Sequence, residues 1–274
     1  MALHPVTLDV QTLLTMIRWR HGEPHPVLAH EPAWYDAAAL RALDEAASDE
    51  LNRQGLSTGG RLTPEFDDVV GALFHPDREF YGWVNTTIAG QPHSCGVLAG
   101  VAHQQGFLLV REYQADRAGT VTLWAVDPDE VLDRFLTRIP PARPADRRPV
   151  SAVYDTMPAP PAEKALSTGF RTTTRLDADA VQELLAQPRL GAGSLYTAIR
   201  GRGGARVRSR QPVNYIDTVE GRWVFTLKRS GGRRWVTALP ATRELIAARL
   251  SETLRSLEEH SVSVIQQPAL PEDG

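Results

Sequence analysis

The sequence predicts an α+β fold, a quasi-twofold repeat in which two strand-rich halves join into one large central antiparallel sheet covered in part by helices. Three observations predict it. Over residues 215–240 alternating apolar residues break at Val219-Glu-Gly221, resume, break at Ser230-Gly-Gly232, resume, and stop at Pro240, which opens a helical pattern over 241–259. That is a three-strand meander feeding a helix. The first half repeats the plan, with four strand patterns between 80 and 125 and then a helix opened by Asp127-Pro128. Finally, segments 123–136 and 235–250 share this strand-to-proline-to-helix layout at low identity, so the repeat lies in the plan and not in the letters.

Val6 to Leu8 reads as a short strand, and Leu13, Leu14 and Ile17 have helical spacing. Residues 27–30 read as another short strand. Pro32 and Asp36 precede a long helix with Leu40, Leu43, Ala47 and Leu51 on its apolar stripe and Gly55 as a left-handed stop. Thr63 caps a helix with Pro64 at its first position and Phe66, Val69, Val70 and Leu73 facing inward. Strands are expected at 80–86, 96–103, 106–113 and 120–125, with a tight hairpin at Gln104-Gln-Gly106. Asp127 caps the next helix, with Glu130 at the capping-box position and Val131, Leu132 and Phe135 inward. The proline-rich stretch 140–162 reads as a connection between pseudo-repeats at about 36–139 and 176–259, with one extended piece at 150–154. Asp177 caps a helix carrying Val181, Leu184 and Leu185. Strands follow at 194–200, 207–217, 222–228 and 233–239, and Ile246, Leu250, Leu254 and Leu257 line the last helix.

Composition narrows the function. The 274 residues suffice for a core that needs no staples, and 42% hydrophobic with 23% charged residues is ordinary for a soluble globular chain. A net charge of −3 argues against a protein that coats nucleic acid. The single cysteine, Cys95, fits a reducing compartment. With no run of 18 apolar residues and no basic-then-apolar leader, a cytoplasmic protein without membrane insertion is expected, as a monomer or weak dimer.

No constellation of residues points to catalysis. His21, His25, His30 and Glu31 match no metal-ligand spacing, and Pro24 and Pro26 prevent a helix between them. Cys95 beside His93 reads as a small buried residue, not a nucleophile. Arg200, Arg202, Arg206, Arg208 and Arg210 surround Gly201, Gly203 and Gly204. They lack interleaved aromatics for stacking bases and read as a solvated turn whose cations discourage edge pairing. The glycines at 191–193 and 201–204 fit neither a dinucleotide fingerprint nor a P-loop. Asp217, where a hairpin turn begins, is expected to bond turn amides, as is usual for such an aspartate. No catalytic residue, cofactor or metal is therefore expected. The aromatics are left: Trp223, Phe225 and Leu227 share one face of their strand, and Trp235, Thr237 and Leu239 one face of the next. A sheet this wide with few helices should leave some apolar surface open to a partner. The alternatives are a small-ligand carrier or enzyme using the concave sheet face, and a nucleic-acid adaptor working through the 200–210 hairpin.

Leu51-Asn-Arg-Gln-Gly-Leu56, followed by Phe66 through Phe74-His-Pro-Asp-Arg78, resembles the N-terminal part of the EspG family. Asp217-Thr-x-x-Gly-Arg222 and Trp235-Val-Thr-x-x-x-Pro240 resemble its C-terminal part. The ordered series covers about 6–257. The resemblance implies a single EspG-like domain over 1–274, with the sheet flanked by two helical bundles. It also implies a cytosolic chaperone of actinobacterial type VII (ESX) secretion. Such a chaperone binds the hydrophobic tip of the PPE subunit in a PE–PPE heterodimer, keeps it soluble and directs it to a cognate secretion system. The family's binding surface corresponds here to the strands within 194–239 and the helix over 241–259. On that surface Tyr215, Trp223, Phe225, Trp235 and Leu254 are the candidate contacts, with Trp223 and Trp235 as anchors.

Overall fold

The computed structural model describes residues 4–28, 34–88, 90–114, 117–153, 173–201 and 204–263. Strand β1 (Val6–Asp9) runs directly into α1 (Val10–Trp19), because Asp9 accepts the Gln11 N–H at 2.7 Å and caps the helix. Asp36 caps α2 (Ala37–Arg53) in the same way, taking the N–H groups of Ala38 and Ala39. The two-residue ladder of β2 (Ser57–Thr58) and β3 (Arg61–Leu62), which the sequence pattern did not announce, leads to α3 (Pro64–Phe74). Thr63 stands at the N-cap of α3 but makes no side-chain hydrogen bond there. The four long strands β4 (Arg78–Ile88), β5 (Gln91–Ala102), β6 (Gln105–Gln114) and β7 (Arg117–Val126) then form a meander.

Asp127 holds a turn by accepting the Asp129 N–H, so α4 (Val131–Leu136) begins later than a cap at Asp127 would place it. Beyond β8 (Val150–Val153) and α5 (Thr173–Ala186) come β9 (Gly191–Arg200), β10 (Arg206–Arg208), β11 (Val213–Thr218), β12 (Gly221–Ser230), β13 (Arg233–Pro240) and α6 (Arg243–Ser263). Further expectations change. Residues 207–217 are two strands, because the chain bulges between Arg208 and Val213 while both pieces pair with β9. Asp177 lies inside α5 and not at its start. Val27 and Leu28 form a turn, and the rest of that expected strand, His30 included, lies outside the described residues, as does Tyr154.

Eleven strands make one sheet in the order β1-β7-β6-β5-β4-β9-β11-β12-β13-β8, with β10 on β9, and every strand pairing is antiparallel. This is the large antiparallel α+β sheet that the sequence predicts. The two meanders meet where β4 pairs with β9, Tyr81 opposite Tyr196. Period-two alternation divides the side chains between two faces. The front carries Tyr81, Leu98, Leu109 and Leu123, packed beneath α1 and α3, with α2 outside them. The back carries Phe80, Val97, Leu108 and Val224, packed beneath α4 and α6. At the far end of the front, α5 lies on β8 and β13 through Ala178, Val181 and Leu184.

A buried ion pair pins the second meander. Arg222 donates from Nε and Nη2 to the two oxygens of Asp217, both at 2.7 Å, and from Nη2 to the Pro140 carbonyl at 2.7 Å. Its guanidinium lies 4.7 Å from the Tyr215 ring centroid. Its backbone takes part too: its N–H donates to the Arg143 carbonyl, and its carbonyl accepts from Ala145 and Ala241. The crossing of the connection over this strand is so close that a Cβ on Gly221 would stand 2.7 Å from Ala145 backbone atoms, at a φ of +128°. Asp217 thus serves Arg222 and not the turn amides; Thr218 Oγ1 accepts the Glu220 N–H of the turn instead.

Candidate partner-binding surface

Between the two groups of front helices, the middle of the sheet forms an open groove of about 510 Å³. Its floor is contributed by β4, β9, β11 and β12 through Trp83, Asn85, Ser194, Tyr196, Asn214 and Phe225, and Leu185 of α5 and Arg189 edge it. The aromatic floor is held in place. Tyr196 stacks on Tyr81 at 5.2 Å and 14°, and Trp83 meets both rings edge-on at 6.1 and 6.2 Å. Trp83 Nε1 donates to the Tyr113 hydroxyl at 3.1 Å, and Ser194 Oγ donates to Asn214 Oδ1 at 2.7 Å. The polar groups of Trp83, Ser194 and Asn214 thereby have partners within the protein, and the half-buried rings form a preorganised apolar surface with a polar border. Such a surface suits another polypeptide's apolar side chains.

The five residues singled out from the sequence separate across the sheet. Trp223 and Phe225 face front. Trp223 is 1% exposed beneath Leu184, whereas Phe225 is half-buried and opens into the groove. Tyr215, Trp235 and Leu254 belong to the back. Tyr215 is 1% exposed and its ring fills the space over Gly193, where a Cβ would stand 2.2 Å from a ring carbon. Trp235 is half-buried opposite Lys228 and Val153, and Leu254 packs half-buried on the back core. Tyr215 and Trp223 are therefore core residues in this structure, and the other three do not form a single patch. Sequence reading missed Trp83 and Tyr196, whose signal was their alternation with Tyr81 and Ser194 on strands over a hundred residues apart.

Two arginines of the 200–210 region are engaged internally, Arg200 with the Gly204 carbonyl and Arg206 with Glu79. Glu79, 2% exposed, accepts Arg206 Nε at 2.6 Å and lies 3.4 Å from His25 Nε2. Arg206 and His25 both lie on the Tyr81 ring, at 4.9 and 4.7 Å. Burial alone raises the Glu79 carboxyl, but the hydrogen bond and charge of His25 and the Arg206 guanidinium outweigh it and hold it below the usual carboxylate range. A depressed folded-state pKa contributes stability that is complete above the ordinary carboxylate range and is lost as pH falls through the folded value. Glu79→Gln is expected to lower stability by on the order of 2 kcal/mol near neutrality. The gap to wild type should narrow as denaturant melts are repeated at more acid pH.

Cys95 is buried, and that burial, with the Glu112 charge, pushes its thiol up to about 11, so it is not a ready nucleophile near neutrality. Among the described residues, no three His, Cys, Asp or Glu side chains come together as metal ligands.

A family model for EspG proteins matches residues 10–252, nearly the whole of the described chain. The chain belongs to the EspG family. No curated protein matches it. Membership in EspG implies a chaperone associated with type VII secretion, and hence a protein partner for its binding surface. Among the described residues no helix is long and apolar enough to cross a membrane. For an EspG chain the front groove is the salient open feature of the sheet, because it exposes aromatic side chains without a covering helix among the described residues.

Proposed function

We propose that this EspG-family chain is a cytosolic secretion chaperone, a single domain over 1–274 that binds the hydrophobic tip of a PPE-type subunit in a PE–PPE heterodimer. In this role it keeps the substrate soluble and directs it to a cognate type VII system. The front groove, with Phe225 on one side and Trp83 and Tyr196 on the other across Ser194 and Asn214, is the contact surface. The observation that carries the reading is the open, rigid aromatic floor between the front helices. Phe225 is the contact among the five candidates. Trp235 and Leu254 lie across the sheet and take no direct part.

The energetics suit a carrier that must release its load. A standard interface buries about 800 Å² on each partner. Apolar burial, at about 25 cal/mol per Å², drives association, and the loss of rigid-body and side-chain freedom offsets most of it. Because the floor is preorganised, little further ordering is required on this side. The test is co-expression with the PE–PPE pairs of the source organism, followed by affinity capture and size exclusion. A stoichiometric ternary complex with one pair supports the reading, and failure of every pair to co-purify contradicts it.

A further inference from the structure

The end of the sheet where β9 and β12 finish carries a concentration of cations that the groove does not use. Strands β9 and β12 each run antiparallel to β11, so their C-terminal ends lie at the same end of the sheet. There the β9–β10 and β12–β13 hairpins present Arg208, Arg210, Lys228, Arg229 and Arg233, all exposed. Among the described residues, none of the five is ion-paired; Arg206, beside them on β10, is taken up by Glu79, and the other paired cations lie elsewhere. The sequence has no Asp or Glu from Leu184 to Ile216, nor from Gly221 to Arg243, so neither hairpin carries an acid of its own. Register places two of the cations on the front. Arg208 pairs with Ala198 and lies 5.4 Å over the Tyr196 ring, and Arg229 follows Phe225 and Leu227 in alternation. Both therefore stand at the cationic end of the aromatic groove.

We propose that this end of the sheet is a docking surface for an acidic polypeptide segment. Guanidinium groups match carboxylates bidentately, and a cluster of unpaired cations on a chain of net charge −3 is a local field with a specific complement. A polypeptide fits better than nucleic acid. Of the rings beside these cations, Tyr196 has Arg208 over its face and Trp235 is half-buried on the back of the sheet, so neither stands free among the front cations to stack a base. A partner whose apolar part fills the groove can set an acidic flank on this end, which adds to the proposed chaperone function a charge requirement on the substrate.

The test uses the full chain and a fluorescein-labelled poly-L-glutamate of about 15 residues, long enough to cross this end of the sheet. Anisotropy at low salt should show saturable binding, weakened about ten-fold by the double variant Arg208→Glu, Arg229→Glu and again by salt above about 0.3 M. The variant's thermal melt should match wild type, since both side chains are exposed. No saturable binding, no effect of the charge reversal, or equal affinity for a single-stranded oligonucleotide or phosphatidylglycerol vesicles overturns the proposal. Failure of every PE–PPE pair to co-purify while poly-glutamate still binds would remove the chaperone reading of the groove and leave this surface standing.

Discussion

Arg222→Ala is expected to destabilise the protein by about 3–5 kcal/mol, the largest effect of any single polar substitution in this fold. The reason is uncompensated charge. Asp217 would keep its buried carboxylate and lose both guanidinium bonds, and the Pro140 carbonyl would lose its donor. The substitution also removes the cation over Tyr215. Asp217→Ala should cost a similar amount, since it strands the guanidinium instead. The double variant should cost much less than the sum of the two, because the pair stands or falls together. Urea melts of the two single variants and the double variant give the coupling directly. Additive losses would show that the pair is not the unit described. Because the Arg222 backbone also holds Arg143, Ala145 and Ala241, loosening of β12 should free the connection and the start of α6 together.

Phe225→Asp is expected to weaken capture of the substrate by about a hundred-fold or more while the protein stays folded. A charge on the groove floor must be desolvated when a partner's apolar tip closes over it. The side chain is half-buried in the free protein and so can turn toward water there, which keeps the cost to folding small. Isothermal titration with a purified PE–PPE pair separates the two effects when run beside a thermal melt. Trp235→Ala, across the sheet, should leave the affinity within about two-fold.

The parts of the fold that depend on local pattern were legible in the sequence. The double-glycine break gave the β12–β13 hairpin, Asp36 gave the start of α2, and the period-two apolar runs gave nearly all the long strands. The Asp217-Thr-x-x-Gly-Arg222 motif was legible as a resemblance, and its physical content came only with the coordinates. It holds a buried ion pair, a hydroxyl that ties the turn, and a glycine where another backbone crosses. Features built from distant residues were not legible. Arg206 and Glu79 are 127 positions apart, so an arginine that reads as solvated turned out to be half of an ion pair. Trp223 looked like an anchor because alternation places it on a sheet face, but alternation says nothing of which helix covers that face. Leu184 of α5 covers it, while Phe225, two residues further along, emerges at the edge of the groove. The groove itself needs β4 beside β9, a pairing between the two halves of the chain that no local pattern specifies.

The most direct test of the central claim, that the front groove receives the partner, is site-specific photocrosslinking in the reconstituted complex. A photoreactive phenylalanine derivative replaces Phe225 in one sample and Trp235 in another. The account predicts a crosslink to the PPE-type subunit from position 225 and none from position 235. A crosslink from 235 alone would place the partner on the back of the sheet and contradict it.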